Sequence, residues 1–130
     1  MRVFYIVFFF IFSNSIQSQN ITSLRYGSTL VIDQVDIEFV EALEDSRCPK
    51  NVNCVRAGKA VVLVNVYVDG AFIEERRLEF YPSGFSNEST NTLFNSNGLR
   101  ISGLNLMPYP IALAKTTKKD YYLELSIEYY

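Results

Sequence analysis

Two cysteines, Cys48 and Cys54, are the residues of this chain whose type and spacing most clearly suggest chemistry. They lie six positions apart, and Pro49 and two asparagines between them favour a turn that would bring the thiols together. In an oxidising compartment the simplest product is a local disulfide. A structural zinc site needs four ligands, whereas the chain offers two thiols and no histidine. We therefore expect a disulfide, no metal and no cofactor.

The composition excludes most catalytic arrangements. None of the 130 residues is a histidine, so neither a Ser-His-Asp triad nor a Cys-His pair can form. A bridged cysteine pair would also leave no thiol nucleophile. The 14 acidic residues would allow a carboxylate pair of the glycosidase type, but their spacing singles out no pair. A Ser-Lys dyad has the same weakness. We therefore predict no catalytic residue and a protein that is not an enzyme.

Charged residues around the cysteines form a candidate binding loop. Its members are Asp45, Arg47, Lys50 and Arg56. A short loop closed by a disulfide is already ordered, so binding through it costs little conformational entropy. The loop is therefore either a recognition site or only a structural cross-link. If it is only a cross-link, Arg47→Ala, Lys50→Ala and Arg56→Ala should leave stability and binding nearly unchanged.

We interpret the remaining charged residues as solvated side chains on strand edges and turns rather than as a nucleic-acid or calcium site. Twelve basic residues against 14 acidic ones give a net charge of −2, which argues against a nucleic-acid partner. The spacing of the acids before the first cysteine matches no calcium-binding loop. The clusters concerned are the basic Arg76, Arg77, Lys115, Lys118 and Lys119, and the acidic Glu38, Glu41, Glu44 and Asp45.

The N-terminus has the layout of a secretory signal peptide. Arg2 precedes an almost unbroken apolar run over 3–12, and a short polar stretch follows. The run is too short to span a bilayer, which takes about 20 residues. We assign 1–19 as the leader, with cleavage after Ser15, Ser18 or Gln19, and expect a periplasmic or extracellular product without a transmembrane span. Removing the leader leaves 11 basic and 14 acidic residues, a net charge of −3.

Alternation with a period of two dominates the rest of the chain and predicts strands with one buried face. At the C-terminus, Leu123, Leu125 and Ile127 share one face, and we place Tyr121 and Tyr129 on it as well. The segment 60–68 is apolar on both faces apart from one asparagine, as a central strand would be. An Asp-Gly pair at 69–70 and a β-rich run over 72–81 follow it, which predicts a hairpin.

Three other segments complete the prediction. The segment 35–44 fits either a strand or a helix, and we favour a strand because its neighbours are β. Residues 86–97 are rich in Asn, Ser and Thr and are predicted to form a long surface loop. A phase change at Gly103 within 99–106 suggests a bulge. Together these features predict one all-β domain over 20–130, an antiparallel Ig-like sandwich or small barrel with six to eight strands.

The cysteine loop also carries a family resemblance. Asp45-Ser46-Arg47-Cys48-Pro49, Cys54 and Ala57-Gly58 resemble a motif of small exported bacterial proteins, many of them uncharacterised or lipoproteins. The likeness extends loosely to the stretch 106–110, Leu-Met-Pro-Tyr-Pro. The resemblance implies location and fold class, and no activity.

These observations lead to two functional hypotheses. The first is an exported, non-catalytic β-domain that binds a partner, either an unknown protein or a component of the cell envelope. The second is an inhibitor of an extracellular hydrolase that acts through the Cys48–Cys54 loop.

Overall fold

The structure, a computed structural model, describes residues 18–82, 91–112 and 114–130. Most of the predicted leader therefore lies outside the described residues. The protein is a sandwich of two antiparallel four-stranded sheets. The strands are β1 (Ser18–Arg25), β2 (Thr29–Ile32), β3 (Val35–Asp45), β4 (Ala60–Val68), β5 (Ala71–Phe80), β6 (Thr92–Ser96), β7 (Leu99–Met107) and β8 (Tyr122–Tyr129).

One sheet is built from four strands that are consecutive in the chain, and the other is built from the strands that precede and follow them. The order β2-β3-β4-β5 makes one sheet, and β1-β8-β7-β6 makes the other. All eight strands contribute buried apolar side chains to the shared core, among which Phe39 on β3 and Phe80 on β5 are the largest. The fold class predicted from the alternation, a small all-β sandwich, is therefore confirmed.

Several predictions about individual elements are also confirmed. The ambiguous segment is the strand β3, with Val35, Ile37 and Phe39 fully buried. The Asp69-Gly70 pair turns β4 into β5, and both residues have positive φ, 52° and 77°, as that tight turn requires. The predicted bulge lies between Gly103 and Asn105, where the β7–β8 register shifts.

Two predictions differ from the structure. Of the segment 86–97, predicted as a long loop, residues 86–90 lie outside the described residues, and Thr92–Ser96 form β6, which pairs with β7 at a sheet edge where few apolar side chains are needed. On β8, Tyr129 is 44% exposed although we place it on the inward face, whereas Ser126, which alternation places on the opposite face, is buried. Its hydroxyl accepts a hydrogen bond from the Gln19 side chain at 2.7 Å.

A single end of the sandwich carries the residues singled out from the sequence. Here β3 ends, β4 begins, and β5 and β7 end, so the segments 46–59, 81–82, 108–112 and 114–121 converge. We call this region the loop end. Within the described residues, no helix has the length and apolar character needed to cross a membrane.

Candidate functional site

The disulfide loop is closed by a Cys48–Cys54 bond and by backbone hydrogen bonds at its base. The two Cα atoms lie 5.9 Å apart, which confirms the predicted bridge. The Cys48 amide donates to the Ala57 carbonyl at 2.8 Å, and the Ser46 amide donates to the Lys59 carbonyl at 2.9 Å. The two strands that enter and leave the loop are therefore held together below the disulfide.

Arg47 lies inside the base of this loop, and only 3% of it is exposed. Its Nε and Nη2 atoms donate to the two carboxylate oxygens of Asp45 at 2.8 and 2.9 Å, a bidentate ion pair. Its Nη1 donates to the Leu106 carbonyl at 2.7 Å, and Nη2 reaches the Pro108 carbonyl at 3.3 Å. One side chain thus fastens the disulfide loop to the end of β7 in the opposite sheet.

Tyr109 is the second connection between these segments. Its hydroxyl donates to the Cys48 carbonyl at 2.9 Å, and its ring lies 4.9 Å from the Arg47 guanidinium. One residue further on, the Lys50 amide donates to the Pro110 carbonyl at 3.1 Å. The Met107–Pro108 peptide bond is cis, and the chain turns there. The two stretches of the family resemblance, around 45–58 and 106–110, therefore form one contiguous unit.

The electrostatics of Asp45 follow from its partners. Burial by itself would raise the pKa of this carboxyl, but hydrogen bonds from Arg47 and Tyr121 outweigh it and hold the pKa below the usual value. The Tyr121 hydroxyl donates to Asp45 Oδ2 at 2.8 Å. Burial and this hydrogen bond to a carboxylate raise the pKa of Tyr121 to about 12. The pair is therefore a fixed carboxylate and a neutral phenol at physiological pH, which suits a structural role.

Above this base the loop projects two residues into solvent. Val55 is fully exposed and Arg56 is exposed, and we call this pair the tip. The tip lies between two fixed points, because Cys54 is bonded to Cys48 and Ala57 accepts the Cys48 amide. The tip therefore presents one aliphatic and one cationic side chain on an anchored backbone.

Beside the disulfide lies an open groove of about 560 Å³. Lys50 is the only charged residue among the described residues that line it. The lining comes from the disulfide loop, from the end of β5 with the two residues after it, and from β7 with Tyr109. Its members are Cys48, Pro49, Lys50, Val52, Phe80, Tyr81, Pro82, Leu104, Asn105, Met107 and Tyr109.

The four residues of the candidate binding loop therefore separate into two pairs. Asp45 and Arg47 are paired with each other in the base, so Arg47 is not presented to solvent as the sequence led us to expect. Lys50 and Arg56 are exposed, and no ion pair found within the described residues includes either of them.

Sequence reasoning missed the residues that complete the groove, above all Tyr81 and Asn105. Tyr81 follows β5 of one sheet, Asn105 lies on β7 of the other, and both are far from the cysteines in the sequence, so no spacing could connect them. Tyr109 carried one usable signal, since two flanking prolines fix its backbone and mark it as a shaped segment.

Across the described residues, no group of three or more His, Cys, Asp or Glu side chains is arranged to hold a metal ion. Comparison with known proteins gave no match: no family model, no curated protein and no solved structure is similar to this chain.

Proposed function

We propose that the protein is an exported, non-catalytic binding domain whose contact surface is the loop end. The observation that carries the proposal is the combination of the tip and the groove on one anchored loop. Export is supported by the leader sequence and by the disulfide, since disulfides persist in oxidising compartments. The non-catalytic part of the proposal is supported by a composition without histidine and by bridged cysteines, which leave neither a histidine base nor a thiol nucleophile.

Preorganisation is the physical reason to place binding here. The loop is held by the disulfide, by Arg47 and by the Tyr109 hydroxyl, so little chain entropy remains to be lost on association. Among the exposed residues of the disulfide loop, Val52 (41%) and Val55 (fully exposed) are apolar, Lys50 and Arg56 are cationic, and none is acidic. A partner of complementary character is therefore apolar with acidic groups.

The opposite end of the sandwich supplies a matched control. Its turns carry Asp33 and Asp69, which both have φ of 52°, a conformation that asparagine also tolerates. We would immobilise the wild-type protein, Lys50→Gln/Arg56→Gln and Asp33→Asn/Asp69→Asn, so that each variant neutralises two charges, and expose each to the exported protein fraction of the producing cells. The proposal expects a partner retained by the wild type and by the aspartate variant, and lost from the loop-end variant. Equal retention by all three, or by none, would overturn it.

A second function, inhibition of an extracellular endopeptidase, is favoured by the anchoring of the tip on both sides. A substrate-like inhibitor must hold its contact residue in a fixed loop, and Arg56 is the cation that the tip offers. Proteases with an aspartate in their specificity pocket accept arginine. Inhibition of an arginine-specific protease, abolished by Arg56→Ala and kept by Lys50→Ala, would establish this function. No inhibition of it, or inhibition unchanged in Arg56→Ala, would refute it.

A further inference from the structure

We propose that the groove beside the disulfide binds an extended polypeptide segment that carries a carboxylate next to apolar side chains. This inference rests on the proposed binding function and names the class of ligand and the residues that recognise it. It concerns the groove alone, so the tip can be tested separately.

The first argument is the charge of the groove. Lys50 is its one charged residue within the described part of the chain, and the ion pairs found there leave the Lys50 ammonium without a carboxylate. The ammonium lies 5.7 Å from the centroid of the Tyr109 ring, which keeps it against the groove. A cation held beside apolar surface is complementary to an anion whose neighbours are apolar.

The second argument is the pair of side-chain hydrogen-bond donors that the groove offers, on Asn105 and Lys50. Asn105 Oδ1 already accepts from the Leu106 amide at 2.9 Å, whereas its Nδ2 makes only a weak contact with the Met107 sulfur at 3.9 Å. The carbonyl of Cys48, a residue that lines the groove, already accepts from the Tyr109 hydroxyl. The groove therefore offers N–H groups from Asn105 and Lys50, and a complementary ligand must bring oxygen acceptors.

The third argument is shape. The volume is in the usual range for ligand sites, about 300–1,000 Å³, but this site is an open groove between converging segments. A small acid is normally enclosed by its pocket, whereas an extended chain can lie along an open groove and place successive side chains into it. Val52 on one side and the 42% exposed Tyr81 on another supply apolar contact area.

The probe is a phage-displayed library of random 12-residue peptides, selected on the immobilised protein. We expect the enriched sequences to carry Asp or Glu beside aliphatic or aromatic residues. The best peptide, synthesised with a fluorescent label, is then titrated by anisotropy against two matched pairs of variants. Lys50→Gln should weaken binding about tenfold, the usual scale for one lost charge-assisted hydrogen bond. Lys59→Gln removes a cation that lies outside the groove and pairs with Glu79, and should leave the affinity unchanged.

The second pair compares Val52→Asp with Val55→Asp on the tip. Val52→Asp puts into the groove a negative charge, which repels the carboxylate of the expected ligand. The first should abolish binding and the second should not, while circular dichroism shows that both variants are folded. No enrichment of acidic peptides, or enriched peptides that ignore Lys50→Gln and Val52→Asp, would overturn the inference. A natural partner that is lost with tip variants and kept with groove variants would also overturn it, while leaving the proposed binding function in place.

Discussion

At the scale of single residues, Arg47 is the centre of the loop end. Its planar guanidinium fits the Asp45 carboxylate with two hydrogen bonds and still has donors for the Leu106 and Pro108 carbonyls. A lysine could not repeat this, because its ammonium is a single point of charge. The burial of Arg47 could not be predicted from the sequence, since two of its acceptors lie about 60 positions away along the chain.

We predict that Arg47→Ala destabilises the fold by about 3 to 5 kcal/mol, since it leaves Asp45 and two carbonyls without their buried partner. Most single domains have a total stability of only about 5–15 kcal/mol, so the loss should be easily measured. The free energy of unfolding of Arg47→Lys should lie between those of wild type and Arg47→Ala. Arg56→Ala, on the exposed tip, should stay within about 0.5 kcal/mol of wild type. Urea denaturation checks all three, and similar midpoints for Arg47→Ala and Arg56→Ala would contradict the assignment.

The ion pair also predicts a pH dependence. The Asp45 pKa is lowered in the folded state from its usual 3.8, so the unfolded state binds the proton more readily. The stabilisation from Asp45 is therefore complete above about pH 5 and is lost as the pH falls below 3.8 and through the folded-state pKa. In denaturation experiments the stability difference between wild type and Asp45→Asn should narrow on going from pH 6 to about pH 2. A difference that stays constant over this range would show that the Asp45 charge does not matter.

At the scale of elements, the sequence predicts those strands and turns that depend on side chains close together in the chain. Alternation identifies β8, and the Asp-Gly pair identifies the β4–β5 hairpin, because each depends on side chains that are close in the chain. The pattern over 35–44 also fits a helix, and β3 is predicted as a strand only because its neighbours are β. The strand β6 is missed because its pairing with β7 is an edge pairing that needs little apolar content. The hydrogen bond between Gln19 and Ser126 is missed because the two residues lie 107 positions apart in the chain.

Gly58 shows how backbone packing builds the base of the loop. Its φ is +70°, and a Cβ atom at this position would lie 1.8 Å from the carbonyl oxygen of Ser46, a residue whose own amide donates to the Lys59 carbonyl. We predict that Gly58→Ala disrupts the loop and lowers the melting temperature sharply. Gly27→Ala is the matched control, because Gly27 has φ of +73° and open space around its Cα, so only the conformational cost of about 1–2 kcal/mol applies. Equal melting temperatures for the two variants would mean that the close approach is absent.

At the scale of the whole molecule, the stability of the fold and binding at the loop end depend on different parts of the structure. The core is supplied by all eight strands, whereas the disulfide closes only a seven-residue loop. In the chain-entropy model such a closure stabilises by about 2 kcal/mol, which corresponds to a melting temperature roughly 8 °C higher. The fold should therefore persist without the bond, since Arg47 and Tyr109 still hold the base of the loop.

The double variant Cys48→Ser/Cys54→Ser tests this separation. We expect it to fold, to melt roughly 8 °C below wild type and to keep the circular dichroism spectrum of a β-protein. Binding at the loop end should weaken much more than this loss of stability suggests, because Val52 and the tip would lose their anchor and have to be ordered on association. Calorimetry gives the melting temperature, and anisotropy with the selected peptide gives the affinity. Full affinity despite the lower melting temperature would show that the disulfide contributes only to stability, and that Arg47 and Tyr109 alone preorganise the groove.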